Sequence, residues 1–131
     1  MELLHRVLLI DDDETTNLVN KRNILNANVS THVDAVTSGQ DALDYFHQIE
    51  NITLPLDLIL LDIQMPEMNG FEFLEIYKNL EPKYKAKHIF GLTSSASFYD
   101  LVKIKTYVDI TDHIYKPFTT MDYVSLVKKY F

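Results

Sequence analysis

Leu58-Ile59-Leu60-Leu61-Asp62-Ile63-Gln64-Met65-Pro66-Glu67-Met68-Asn69-Gly70 is the stretch whose reading decides the fold. Four consecutive apolar residues, closed downstream by a Pro/Gly-marked loop, fit a strand buried on both faces, as in a parallel sheet. Asp62 stands at the carboxyl end of that strand. In open α/β sheets ligands bind beyond this edge, so a carboxylate there is placed for chemistry rather than packing. Outward along the chain the pattern repeats. Val7-Leu8-Leu9-Ile10 ends in Asp11 and Asp12, Thr93 ends another strand candidate, and Lys116-Pro117 ends a further one.

Short apolar runs at Arg6–Ile10, His32–Val36, Leu56–Leu61, His88–Leu92 and His113–Tyr115 alternate with longer amphipathic stretches. That alternation is the signature of βα units. The first helix, over Thr15–Asn26, carries a modest apolar stripe of Leu18, Val19 and Leu25. In the second, Ala42, Phe46 and Ile49 fall at i, i+4 and i+7. The third is apolar over much of its circumference through Phe71, Phe73, Leu74, Ile76, Tyr77 and Leu80, and Pro82 is expected to close it. Phe98, Leu101, Val102 and Ile104 support a fourth helix; Tyr123, Leu126, Val127 and Tyr130 support a fifth. The aromatic residues of these last two are expected mostly in the core, with some open to a partner face. The expected architecture is α/β: a three-layer, doubly wound sheet of five parallel strands, with right-handed crossovers. Periodicity does not fix which strands are neighbours.

With 131 residues the chain suits one domain. Its 47% hydrophobic and 24% charged residues describe an ordinary globule. A net charge of −7 argues against non-specific nucleic-acid binding, which rests on neutralising phosphates. The chain has no cysteine, which excludes disulfides and is compatible with a reducing cytosol. No signal-like start and no run of the ~20 apolar residues needed to span a bilayer are present. A cytoplasmic protein with no membrane segment is expected.

If the strand ends are neighbours, three carboxylates, a hydroxyl and an amine converge. Carboxylates crowded together repel and resist ionising. A hard divalent cation resolves this, and Mg²⁺ takes one or two carboxylates, waters and phosphate oxygens. Asp11 and Asp12 are successive, so one is expected to bind the metal directly and the other through water. Asp62 then keeps an oxygen free to attack phosphorus as a covalent nucleophile. Lys116, Thr93 and the metal are the groups available to stabilise a transferring phosphoryl group.

Four segments in order, Ile10-Asp11-Asp12-Asp13-Glu14, Leu61 through Gly70, Leu92-Thr93-Ser94 and Tyr115-Lys116-Pro117-Phe118, resemble the receiver domain of two-component response regulators over essentially the whole chain. The resemblance implies a flavodoxin-like sheet in the order 2-1-3-4-5 and a single receiver domain over residues 1–131 with no output domain. It implies Asp62 as phosphoacceptor, with a histidine kinase or histidine phosphotransfer protein as donor. Asp11, Asp12, Asp62 and the backbone carbonyl of Gln64 match the Mg²⁺ ligands, Thr93 the switch hydroxyl, and Lys116 the lysine that pairs with the phosphoryl group. The chain would catalyse its own phosphorylation and dephosphorylation yet act as a signalling protein rather than an enzyme. Its output would pass to a partner on the face formed by the fourth helix, fifth strand and fifth helix, without direct DNA binding. Two alternatives stand beside this: a phosphorelay intermediate, and a binding module that keeps the fold but works independently of phosphorylation.

Three departures from the family pattern matter. His113 stands three residues before the lysine, where an aromatic switch residue is usual. Ile49–Leu56 implies a longer loop, placing Asp62 fifty residues after Asp12. The segment 107–112 lacks the common Gly-Ala pair. Plainer roles are open to several of these residues. Asp13 fits a helix cap, Ser94 and Ser95 fit the cap of the fourth helix better than Thr93 does, and Lys116 could be a solvated edge lysine. Pro117 reads as a rigid, cis-compatible bend. His113 could be a partly exposed strand residue. His5, His32, His47 and His88 show no metal-ligand spacing.

Overall fold

The computed structural model describes residues 3–49, 55–94 and 97–131. Its strands are β1 (Val7–Ile10), β2 (Val33–Val36), β3 (Leu58–Asp62), β4 (His88–Thr93) and β5 (Asp112–Tyr115). All pair in parallel, in the order β2-β1-β3-β4-β5. The helices are α1 (Glu14–Asn26), α2 (Gly39–Gln48), α3 (Gly70–Tyr77), α4 (Phe98–Ile104) and α5 (Thr120–Tyr130). The expected doubly wound, flavodoxin-like sheet is therefore present.

Side chains of a strand alternate between faces, and the sheet divides its apolar residues accordingly. Leu8, Ile10, Ile59 and Leu61 pack with Phe46, Phe73 and Tyr77 in one core. Val7, Leu9, Leu58 and Leu60 pack with Ile24, Tyr123 and Val127 in the other. Each such side chain, buried from water, contributes roughly 1.5–3 kcal/mol, which is why the central strands read as continuous apolar runs. α2, α3 and α4 thus cover the first face and α1 and α5 the second.

Register brings the strand ends to one level. Ile10 pairs with Leu61, Asp62 with Leu92, and Thr93 with Tyr115. The residues after β1, at the end of β3, at the end of β4 and after β5 therefore leave the sheet side by side at its carboxyl edge.

Several expectations change in the structure. In α1, Leu18, Val19 and Leu25 face solvent, while Asn17, Asn20 and Ile24 are buried. The buried face runs through 17, 20 and 24, a helical i, i+3, i+7 line hidden from hydropathy because two of its members are amides. In α4, Phe98 and Tyr99 are 77% and 73% exposed, whereas Asp100 and Ile104 are buried. Its aromatic residues are not core. α3 ends at Tyr77, well before Pro82, which instead opens a 3-10 turn over Pro82–Tyr84. The expected cap of α4 by Ser94 is replaced by Ser97 at the N-cap position, whose side chain makes no capping bond; Ser95 lies outside the described residues. Most of the loop over Ile49–Leu56 also lies outside them. Before β5 the chain turns through an Ile110 N–H bond to the Tyr107 carbonyl at 3.2 Å, and Thr111 N–H then joins Ile89 O at 2.8 Å. Among the described residues no helix is long and apolar enough to cross a membrane.

Candidate functional site

Asp11 follows β1 and is fully buried, and Asp62, the last residue of β3, is 3% exposed. Asp12 faces solvent. Oxygens of the three carboxylates lie within 4.8 Å of one another. Such a trio could hold a divalent cation, and an open, oxygen-only donor set suits a hard ion that retains waters.

Lys116 reaches this cluster from the end of the edge strand β5. Its Nζ donates to Asp11 Oδ2 at 2.8 Å and stands 3.5 Å from Asp62 Oδ2. The Lys116-Pro117 peptide is cis, and Lys116 N–H bonds to the Thr93 carbonyl at 2.9 Å, continuing the β4–β5 ladder. Thr93 is buried at the end of β4, with its hydroxyl 3.4 Å from the Ser94 carbonyl oxygen.

The electrostatics follow from burial and charge. Desolvation, then the neighbouring Asp11 carboxylate, push Asp62 up to about 7 against the opposing pull of Lys116. For Lys116, burial favours the neutral amine, but the hydrogen bond to Asp11 and the charges of Asp62 and Asp11 outweigh it, so its pKa is raised. A cation added here would offset the carboxylate repulsion that one lysine leaves uncompensated.

The loop geometry is set locally. Asp13 caps α1, accepting from the N–H groups of Thr15 and Thr16 at 2.9 and 3.2 Å, and the Thr16 bond leads the causes that lower its pKa. It serves as the cap foreseen for it. Asn17, which the sequence did not single out, donates its amide to the carbonyls of Asp11 at 2.9 Å and Val36 at 3.3 Å. It thereby holds the acidic turn against the end of β2. Its only sequence signal is its place on the 17, 20, 24 line. Beyond Asp62, the Gln64 N–H donates to Asp62 Oδ1 at 3.1 Å. Glu67 takes the left-handed conformation, φ 64°, and Gly70 N–H returns to the Ile63 carbonyl at 3.0 Å. A Cβ on Gly70 would sit 2.8 Å from both Asp62 O and Ile63 Cα. This glycine is needed for close approach, because α3 starts directly on the backbone at the end of β3.

Of the residues nominated from sequence, Asp11, Asp12, Asp62 and Lys116 meet in one cluster. Thr93 stands at the adjacent strand end. Gln64 touches the cluster through its backbone N–H, while its side chain turns to Asp100 of α4. His113 lies half-buried on β5, its Nδ1 3.5 Å from Asp112 Oδ1 and its ring 5.2 Å from that of Tyr115.

Residues 7–128 match the model of the response regulator receiver domain. The chain is 29% identical over 130 residues to hybrid signal transduction histidine kinase L of Dictyostelium discoideum, covering 98% of this chain and 7% of that protein. It is 30% identical over 123 residues to two-component response regulator ARR12 of Arabidopsis thaliana, covering 83% of this chain and 19% of the relative. The chain thus spans only a small part of these two curated relatives. Among solved structures, a two-component response regulator from Cytophaga hutchinsonii superposes with a TM-score of 0.86 at 28% identity, covering 98% of this chain and 97% of that one. A response regulator receiver protein from Dyadobacter fermentans gives 0.83 at 26% identity, covering 96% and 97%. Sequence, strand order and the clustered acids agree: this chain belongs to the family of response regulator receiver domains.

Proposed function

We propose that Asp62 accepts a phosphoryl group from a phosphohistidine donor, a histidine kinase or a histidine phosphotransfer protein, in a reaction dependent on Mg²⁺. The observation that carries this reading is Lys116 Nζ standing between two buried carboxylates, Asp11 at 2.8 Å and Asp62 at 3.5 Å. In the transfer, an Asp62 oxygen forms the new bond to phosphorus as the bond to the donor's imidazole nitrogen breaks. Lys116 would leave Asp11 for a phosphoryl oxygen, with Thr93 donating to another. Asp11, Asp12, Asp62 and the Gln64 carbonyl would hold the cation, which neutralises charge on the transferring group. A groove of about 350 Å³, lined by Thr15, Thr16, Val19, Asn20, Lys116 and Pro117, opens beside this site and gives a donor room to approach.

In this reading the domain is a signalling switch. Phosphorylation adds charge at the carboxyl edge, Thr93 and Lys116 follow it, and the α4-β5-α5 face changes for a partner. Phe98, Tyr99, Val102, Tyr115 and Met121 leave apolar surface exposed on those elements. His113, on β5 within that face, is the residue proposed to respond in place of an aromatic switch. A second reading, relay of the phosphoryl group onward to another histidine, draws on the 29% identity to a hybrid kinase across nearly the whole chain.

The test is incubation with Mg²⁺ and acetyl phosphate followed by intact-mass measurement. Gain of one phosphoryl group, absent when EDTA replaces the metal, is expected. An unchanged mass beside a working receiver control would favour a binding module that acts without phosphorylation.

A further inference from the structure

Helix α4 is held to the body of the protein in an unusual way. Its two buried residues, Asp100 and Ile104, are one turn apart on the same face. Ile104 lies on Gly91 of β4, where a Cβ would come within 3.3 Å of its Cδ1. That is the apolar anchor. The other is a carboxylate, 4% exposed, whose Oδ2 accepts a hydrogen bond from the carboxamide of Gln64. A buried carboxylate left without a partner is costly, so this bond fixes the helix rather than merely decorating it.

The partner is what gives the contact meaning. Gln64 also donates its backbone N–H to Asp62 Oδ1 at 3.1 Å. One residue therefore links the proposed acceptor, through its main chain, to the buried face of α4, through its side chain. Phosphorylating an oxygen of Asp62, which makes an acyl phosphate, alters what that N–H bonds to, and any shift of the Gln64 backbone is carried to its carboxamide. Beyond these two anchors, Lys103 of this seven-residue helix stands over the Phe71 ring of α3 at 4.5 Å, a contact at the surface that leaves Asp100 as the buried polar tie. The side chains released with it are the exposed Phe98, Tyr99 and Val102.

We propose that Asp100 is a positioning residue that tethers α4 to the acceptor loop through Gln64, and that loading Asp62 loosens this tether and frees the aromatic end of the helix. The first half rests on the contacts alone. The second rests on the proposed acceptor role of Asp62.

Hydrogen–deuterium exchange on the full chain tests both halves, using wild type, Asp100→Ala and Asp100→Asn, each with and without acetyl phosphate and Mg²⁺, with intact mass read in parallel. In the untreated samples, amides of α4 in Asp100→Ala should exchange about tenfold faster than in wild type, the effect of losing one hydrogen bond to a charged group. Amides of β1 and β3 should be unchanged. Asp100→Asn retains an oxygen acceptor and should keep most of the protection. Phosphorylated wild type should approach the exchange of untreated Asp100→Ala, and phosphorylation should add little further in that variant.

Wild-type exchange of α4 in Asp100→Ala would overturn the tether, as would acceleration spread equally over the sheet. Labelled wild type with an unaltered α4 would overturn the release. Absence of the mass gain in wild type would instead strike the acceptor reading and the release together, while the untreated spectra still decide the tether.

Discussion

The ammonium of Lys116 donates to a carboxylate oxygen of Asp11 at 2.8 Å, joining residues 105 positions apart in the chain. Asp11 is wholly buried, so this bond to a cationic group is its main electrostatic compensation. Lys116 is thus committed to Asp11, with Asp62 within 3.5 Å.

Removing that partner should be costly. Lys116→Ala leaves the buried acids uncompensated, and breaking such a pair destabilises by about 3 kcal/mol. Urea unfolding in EDTA measures it. Added Mg²⁺ should recover part of the loss, and labelling by acetyl phosphate should slow. Equal stability of variant and wild type in EDTA would contradict the assigned pairing.

Asp62 should make metal-free stability depend on pH in an unusual direction. Burial and Asp11 raise its pKa to about 7 in the native state, above the unfolded value of about 4. Between those two values the native state holds a proton that the unfolded state has released. Stability therefore falls as pH rises across that window and levels off above it. Asp62→Asn abolishes the titration. In EDTA it should melt higher than wild type at pH 8, by the equivalent of up to about 4 kcal/mol, with the gap closing toward pH 4. A gap that does not change with pH would show that Asp62 titrates normally.

The same substitution should also abolish the mass gain from acetyl phosphate while circular dichroism stays native. A phosphoryl group that persists on Asp62→Asn would move the acceptor elsewhere.

Mg²⁺ should stabilise the fold by binding only the assembled carboxylates. At ten times its dissociation constant, a ligand of the native state adds about 1.4 kcal/mol, or about 4 °C in melting temperature for a domain of this size. Asp12→Ala, altering the exposed member of the trio, should remove most of this shift with little change in the metal-free melt. An intact shift in that variant would exclude Asp12 as a ligand.

Gly70→Ala should disturb Asp62 through its backbone. The added methyl would meet Asp62 O and Ile63 Cα at 2.8 Å, and backbone cannot yield as a side chain can. A loss of about 1–3 kcal/mol is expected, together with slower labelling of Asp62. Unimpaired labelling would show that the strand end tolerates displacement.

Much of this was legible in the linear chain. Strand identity was readable because strands covered on both faces must be apolar throughout, and Val7–Ile10 and Leu58–Leu61 are so. The acids at their ends stood out against that background. α1 was less legible, since its buried line contains two asparagines, Asn17 and Asn20, of which Asn17 donates its amide to backbone carbonyls. Asp100 gave no signal at all, because a carboxylate within a helix reads as solvent-facing until its partner is known.

Local patterning by itself determined which segments become strands and helices, and which carboxylates, hydroxyl and amine end those strands. Hydrophobic periodicity is a property of neighbours in sequence. Tertiary structure alone decided that β3 lies between β1 and β4, that Lys116 closes on Asp11 rather than on water, and that Gln64 turns its side chain to α4. Those are pairings between residues far apart in the chain, and their energies arise only once packing has excluded solvent from the carboxyl edge of the sheet.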